Sequence, residues 1–306
     1  MTESIRPTSP ESPFSVQALN DRTLVAAEPG GGANAGIFLG EKGPVIIDSL
    51  LSPASGEALR QSVSGLTPLP PRALLYTHHH GDHTFGAQTF ACPVIAHEGA
   101  ADAMRSPASG LSRSRLLDLF YGERFARAIG EGRPDTAALE SRFDLLDLTG
   151  LVVTLPTLTF SDRMALHDPA GLVQLISLGR AHSAGDAAVF LPEDGILFTG
   201  DLAFNGRMPF MAEPIGAAVF KALDRMEGLR PKIVVPGHGP PGGPEILRSM
   251  REFFGDLRDA VETLRAQGKS LDEVKAEIVL PQYADWPRYD RALPLNAEMA
   301  YLGLDS

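Results

Sequence analysis

The six-residue run HHHGDH at positions 78–83 constrains the fold of this chain more than any other feature. It follows residues 72–76 (RALLY), an apolar run that predicts a buried β-strand. Side chains two residues apart on an extended chain point the same way, so His78 and His80 could hold one metal ion. Gly81 permits a sharp reversal, after which the last two residues of the run could face a second ion. Because imidazole and carboxylate are common zinc ligands, the run predicts a metal site rather than an ordinary polar loop or a tag-like histidine tract.

Three further ligand candidates each follow a predicted strand: His182 in GRAHSAGD, Asp201 in FTGDLAF and His238 in VPGHGPPGG. Taken alone, His182 is more typical of a surface or core histidine that binds no metal, whereas Asp201 is the stronger candidate, a helix cap being its alternative role. A carboxylate at the end of an apolar strand is costly to bury unless it is paired or metal-bound. Six of the eight histidines fall in these clusters or in the 78–83 run, which favours a shared ligand set.

Short apolar runs alternate with helical patterns, which predicts an α/β fold. We predict strands at residues 35–39, 44–47, 72–76, 93–96, 151–154, 158–160, 172–178, 187–190, 195–199 and 232–235, and helices at 52–64, 217–229 and 244–277. The segment near 98–148, rich in Ala, Leu and Arg, is predicted to be a helical insertion. A flexible Pro- and Ser-rich tail is expected at 1–14, followed by a single domain at 15–306 whose C-terminal helices and tail start at about residue 243.

The charge balance argues against a nucleic acid partner. Acidic residues outnumber basic ones 38 to 27, whereas phosphate-binding domains usually carry a basic patch. The N-terminus lacks the features of a secretory signal, and no apolar run is long enough for a membrane helix. We therefore expect a cytoplasmic protein that acts on a small-molecule substrate and binds neither nucleic acid nor a membrane. Cys92, the single cysteine, is expected to be an inert packing residue, and Trp286 and Tyr289 to pack within the chain or in a homodimer.

The ordered pattern of candidate ligands resembles the metallo-β-lactamase superfamily over residues 34–241. The resemblance implies an αββα sandwich with two zinc ions, iron or manganese being the alternatives, in a groove at one edge. The ligands that it implies are His78, His80 and His182 for one ion, Asp82, His83 and His238 for the second, and Asp201 bridging both. Asp48 matches a carboxylate of the superfamily that orients a ligand histidine, the alternative being a helix-capping or turn residue.

An aspartate at position 201 makes the chain similar to the glyoxalase II, lactonase and cyclase-like branch of the superfamily. That resemblance implies a hydrolase in which a metal-bridging hydroxide attacks the acyl carbon of a thioester, lactone, amide or β-lactam. Asp82 is the catalytic candidate, because a nearby carboxylate could shuttle a proton to the leaving group. The substrate-binding candidates are Asn205, Arg207 and Phe210 after Asp201, and Tyr121 in the insertion, where helix packing is the alternative role.

Three other functions are alternatives to this hydrolase. A mononuclear or dinuclear iron oxidoreductase is the main alternative, although diiron relatives commonly carry Glu at the position of His80. RNA processing fits poorly with the acidic charge. A purely structural zinc site fits poorly because such sites usually close with four ligands, often cysteines.

Overall fold

The computed structural model describes residues 14–105, 150–211 and 213–305. Within these ranges, a seven-stranded sheet keeps its strands in chain order. Its strands are β1 (Ser15–Ala18), β2 (Thr23–Ala27), β3 (Asn34–Phe38), β4 (Val45–Ile47), β5 (Ala73–Leu75), β6 (Val94–His97) and β7 (Leu158–Phe160). Strands β1 to β4 pair antiparallel, and β4 to β7 pair parallel.

A second sheet has five strands in the order β12-β11-β10-β9-β8. They are β8 (Arg163–Asp168), β9 (Gly171–Gly179), β10 (Asp186–Leu191), β11 (Ile196–Phe198) and β12 (Ile233–Val235). Only the pair of β11 and β12 is parallel. The α-helices of the described ranges are α1 (Pro53–Leu66), α2 (Gly81–Thr84), α3 (Glu98–Arg105), α4 (Ala217–Gly228), α5 (Glu245–Ala266), α6 (Leu271–Glu277) and α7 (Tyr289–Gly303).

The two sheets pack face to face, and helices cover their outer faces. Alternation along each strand divides its side chains between the two faces, because successive side chains of a strand point to opposite sides. Val45 and Ile47 of β4 lie in the cluster between the sheets, whereas Ile46 packs with α1 and α3. On the second sheet, Leu197 packs with α4, α5 and α7. The layers form the αββα sandwich that the resemblance to the metallo-β-lactamase superfamily implies, so the predicted fold class is confirmed.

Most predicted strands are found within one residue of their expected bounds, but three strands were missed and one prediction was wrong. Strands β1 and β8 alternate between exposed and half-buried residues, so they lack the apolar run of a buried strand. Strand β2 is apolar and buried, and the turn residues before it could have marked it. Residues 151–154 form no strand. There the Val152 N–H donates to the Gln88 side chain, and the Thr154 carbonyl accepts from the Tyr76 hydroxyl at 3.0 Å.

The C-terminal region departs from the predicted tail. Residues 289–303 form α7, with Pro294 inside the helix, and α7 packs on α5 and α6. The predicted helix at 244–277 is two helices, interrupted at Gly268, which has a φ of +83°. Phe14, which the sequence assigned to the flexible tail, is buried in the core.

Two other predictions fall mainly outside the described residues. Residues 1–13 of the predicted tail lie outside them, as does most of the predicted insertion, of which only α3 is described. Within the described part of the chain, none of the helices is both long and apolar enough to cross a membrane.

Candidate metal centre

The seven candidate ligands lie in segments that follow strands of both sheets. His78 and His80 follow β5, Asp82 and His83 lie in α2, His182 lies between β9 and β10, Asp201 follows β11 and His238 follows β12. The backbone bends at residues 77–79, His80 is extended, and α2 begins at the next residue, so the two halves of the HHHGDH run face different neighbours. The structure brings all seven together in two overlapping groups.

The first group consists of His78, His80, His182 and Asp201, and all four are buried. His80 Nδ1 lies 3.1 Å from His182 Nε2, which lies 3.6 Å from Asp201 Oδ2. His78 Nε2 is buried and has no hydrogen-bond partner among the described residues. A buried nitrogen atom without a hydrogen-bond partner is energetically costly, and a metal ion bound by all four side chains would give His78 Nε2 a partner.

The second group consists of Asp82, His83, Asp201 and His238. His83 Nε2 lies 3.1 Å from Asp201 Oδ1, and His238 Nε2 lies 3.3 Å from Asp201 Oδ2. His238 Nε2 also lies 3.2 Å from Asp82 Oδ2. Asp201 therefore belongs to both groups and lies where a ligand that bridges two metal ions would have to lie.

Burial and the neighbouring charges act differently on two histidines of the first group and two of the second. Burial lowers the pKa of His78 and of His80 well below the ordinary range, so these imidazoles are neutral and offer lone pairs. Burial also lowers the pKa of His83, but the surrounding carboxylates, Asp201 first, outweigh burial and raise it well above its usual value. The same balance raises the pKa of His238 to about 9. Protons thus supply positive charge that the carboxylates need, and a divalent cation would supply it equally, so the residues present fit a metal.

Asp48 holds His83 from behind. Its Oδ2 lies 2.8 Å from His83 Nδ1 and accepts from Thr77 Oγ1 at 2.7 Å, while Oδ1 accepts from the Thr77 N–H at 2.8 Å. Thr77 Oγ1 in turn lies 3.1 Å from His78 Nδ1. The carboxylate is therefore linked to a histidine of each group, to His83 directly and to His78 through Thr77. Its backbone has a φ of +58°, a left-handed conformation that Asp and Asn adopt more readily than most residues.

Two supporting residues were not found from the sequence. Asp186 accepts three backbone N–H groups of the turn that carries His182. Asn34 donates to the carbonyls of Pro236 and Gly239 at 2.9 and 2.7 Å and so holds the turn that carries His238. The closing Asp of GRAHSAGD is a turn-forming residue near a candidate ligand, which could have signalled Asp186. No local signal points to Asn34, because its partners are more than 200 residues away.

The substrate-binding candidates have different surroundings. The side-chain amide of Asn205 donates to the Pro240 carbonyl at 2.8 Å, and the backbone N–H of Asn205 donates to the His238 carbonyl. Asn205 therefore helps to hold the turn that carries His238. Arg207 is buried, and its guanidinium lies against Gly31. Phe210 is half-buried. Tyr121 lies outside the described residues.

An αββα sandwich with two such donor groups at its strand ends defines a class of metal-binding α/β proteins. The sequence profile of the metallo-beta-lactamase superfamily matches residues 29–238, and the chain belongs to this superfamily.

Two curated proteins are similar in sequence. The 2,4-dinitroanisole O-demethylase subunit alpha of Nocardioides sp. (strain JS1661) is 26% identical over 260 residues, which covers 82% of this chain and 63% of that protein. The linear primary-alkylsulfatase of Pseudomonas sp. (strain ATCC 19151) is 20% identical over 263 residues, covering 79% and 49%. The chain thus spans about half to two thirds of the length of these relatives.

Solved structures show the same fold. The stereoselective inverting sec-alkylsulfatase Pisa1 from Pseudomonas sp. gives a TM-score of 0.69 at 21% identity, covering 94% of this chain and 50% of that one. A metallo-beta-lactamase family protein from Thermus thermophilus gives 0.63 at 20% identity, covering 93% of each chain. At these identities the likeness concerns the fold alone.

Proposed function

We propose that this protein is a metal-dependent hydrolase of a small-molecule substrate and that its metals are two zinc ions. The convergence of seven side chains into two donor groups that share Asp201 carries the proposal. Imidazole and carboxylate are zinc donors, and such a set leaves positions open for water and substrate. Two divalent ions bound there would supply a water of lowered pKa and would polarise the bond under attack.

Asp82 is the proposed catalytic residue of the chain. Its side chain is 25% exposed, the largest exposed fraction among the carboxylates and imidazoles of the second group. Burial raises its pKa, but the imidazoles of His83 and His238 outweigh burial and lower it to about 2. Asp82 is therefore a carboxylate at neutral pH, able to accept a proton from water and to pass it to a leaving group.

Two substrate classes are consistent with this chemistry. Similarity to the glyoxalase II and lactonase branch favours an acyl carbon, as in a thioester, lactone, amide or β-lactam. The names of the similar proteins favour a second class, an alkyl sulfate ester or the methyl ether of a nitroaromatic compound. A panel with one probe of each kind separates them.

The first experiment measures the metal content of the purified protein together with hydrolysis of that panel. We expect about two zinc ions per chain, as in other two-metal hydrolases, and cleavage of one probe class that a chelator abolishes and zinc restores. The Asp201→Asn variant should lose both metal and activity. The Asp168→Asn variant, which alters a carboxylate that contacts none of the candidate ligands, should keep both.

Hydrolysis that survives complete metal removal would refute the proposal. One iron ion per chain, with no hydrolysis of any probe, would instead favour the iron oxidoreductase of the same fold. In that case some of the seven candidate side chains would not bind a metal ion.

A further inference from the structure

The carboxylate of Asp186 organises the turn that carries His182. Its Oδ2 accepts the backbone N–H groups of Ala181, His182 and Ser183 at 3.0, 2.7 and 2.9 Å. Its Oδ1 accepts from Ser183 Oγ at 2.6 Å. Asp186 is itself buried at the start of β10, and the turn that carries His182 begins after Gly179, the last residue of β9. The second sheet therefore holds both ends of this turn.

His182 differs from other candidate ligands in how its ring is held. In three other histidines Nδ1 has a partner: Thr77 Oγ1 for His78 at 3.1 Å, Asp48 Oδ2 for His83 at 2.8 Å, and the Gly31 carbonyl for His238 at 3.2 Å. His182 Nδ1 is buried and has no hydrogen-bond partner among the described residues. Hydrogen bonds to the far nitrogen are the usual way to orient a ligand imidazole. The ring of His182 must therefore be positioned through its backbone and by packing.

We infer that Asp186 is a positioning residue for the first donor group, that it acts through the backbone of His182, and that it leaves the second group unaffected. The inference rests on the proposed metal centre and adds that Asp186 supports the first site alone, whereas Asp48 reaches a histidine of each group. The hydrogen bonds of the Asp186 carboxylate all go to the turn of His182. In the second group Asp48 holds His83, and Asn34 holds the turn of His238.

An asparagine at position 186 cannot reproduce these contacts. One carboxylate oxygen becomes an NH2 group, which faces either three N–H donors or the Ser183 hydroxyl. Even in the better orientation the acceptor is neutral, and hydrogen bonds to a charged acceptor are roughly twice as strong as neutral ones. The turn should loosen, and His182 Nε2 should no longer be held near His80 Nδ1 and Asp201.

The test is a zinc titration of the metal-free full chain against a chromophoric chelator, which resolves two binding steps. For Asp186→Asn we expect one step to weaken by about 10- to 100-fold, as for other residues that orient metal ligands, and the other to stay unchanged. The mirror variant, Asn34→Ala, should weaken the other step.

Asp168→Asn is a closely matched control. The Asp168 side chain is also almost fully buried and also accepts three backbone N–H groups, those of Glu41, Lys42 and Ala170, at 2.7 to 3.0 Å. It lies near the start of β5, whereas ligands follow the end of that strand. Both steps should remain at their wild-type affinity in this variant.

Thermal unfolding of each metal-free variant shows whether it folds. If Asp186→Asn fails to fold, Ser183→Ala replaces it. That variant removes the 2.6 Å bond to Oδ1 and the 3.4 Å bond from the Gly185 N–H but keeps the three backbone bonds to Oδ2, so it should weaken the same step by less. Unchanged affinities in the folded Asp186 variant, equal weakening of both steps, or the same loss in Asp168→Asn would overturn the role of Asp186. A wild-type chain that binds no zinc would overturn the proposed metal centre itself.

Discussion

Replacing Asp48 by Asn tests how much the metal centre depends on a carboxylate that is not itself a candidate ligand. The substitution keeps the size of the side chain and also tolerates the left-handed backbone at this position, where φ is +58°. Alanine would add backbone strain and a cavity. The asparagine variant therefore changes the hydrogen bonding of His83 and Thr77 and little else.

The expected magnitude follows from the contact with His83. If the amide oxygen keeps the Thr77 N–H, the NH2 group replaces Oδ2 and faces His83 Nδ1 at about the present 2.8 Å. The ring then carries its proton on Nε2, the atom that faces Asp201 and would bind the metal. A hydrogen bond to a charged group contributes about 1.5–3 kcal/mol. At about 1.4 kcal/mol per factor of ten, zinc affinity should fall by about 10- to 150-fold.

Competition with a chromophoric chelator measures this loss directly, and calorimetric unfolding of the metal-free protein reports the stability. Through Thr77, Asp48 also reaches His78, so both binding steps should weaken, with the step of His83 affected more. Zinc affinity equal to that of the wild-type chain would refute the argument, since His83 would then be oriented without Asp48.

Three further predictions concern the same region and its surroundings. A methyl group at Gly237 would collide with the Asp201 carboxylate and the backbone beside it, so Gly237→Ala should lower zinc content while Gly255→Ala, where an added Cβ meets nothing, should not. The pKa of His238 is raised to about 9, so the imidazole of the metal-free protein is protonated below that pH. Zinc must displace the proton, and zinc affinity should therefore rise with pH up to about 9. Calorimetry in buffers of different ionisation enthalpy should detect the release of this proton at pH 7. No release there would contradict the protonated state. Burial raises the pKa of the Cys92 thiol to about 11, so the native chain should react slowly with a thiol reagent at pH 8 and the unfolded chain rapidly; fast native labelling would show that the thiol is accessible.

The fold class was predictable because strand and helix periodicities are local. Apolar runs such as residues 45–47 alternate between two faces, and that pattern is sufficient to indicate a strand between two apolar layers. The exposed edge strand β8 lacks such a run, and α7 contains a proline, so neither was recognised. Helix α7 is held by its packing on α5 and α6 rather than by its intrinsic propensity.

The sequence by itself determined the kinds of candidate ligand, their order along the chain and their place after strands. Residue type and turn chemistry are local properties, so the HHHGDH run and the single His182, Asp201 and His238 could be recognised without coordinates. These properties also pointed to the metallo-beta-lactamase superfamily, which the match over residues 29–238 confirms.

Only the tertiary structure decided which side chains meet and what holds them. Asp201 lies 3.1 Å from His83, in the short helix that follows β5 of the first sheet, and 3.3 Å from His238, which follows β12 of the second sheet. The two sheets pack with these strand ends together. Asn34 supports a turn more than 200 residues away in the sequence. Asp186 accepts hydrogen bonds from three backbone N–H groups, and these contacts cannot be predicted from sequence periodicity. Such contacts depend on how layers pack against one another, and the free energy of that packing is shared among many residues far apart in the chain.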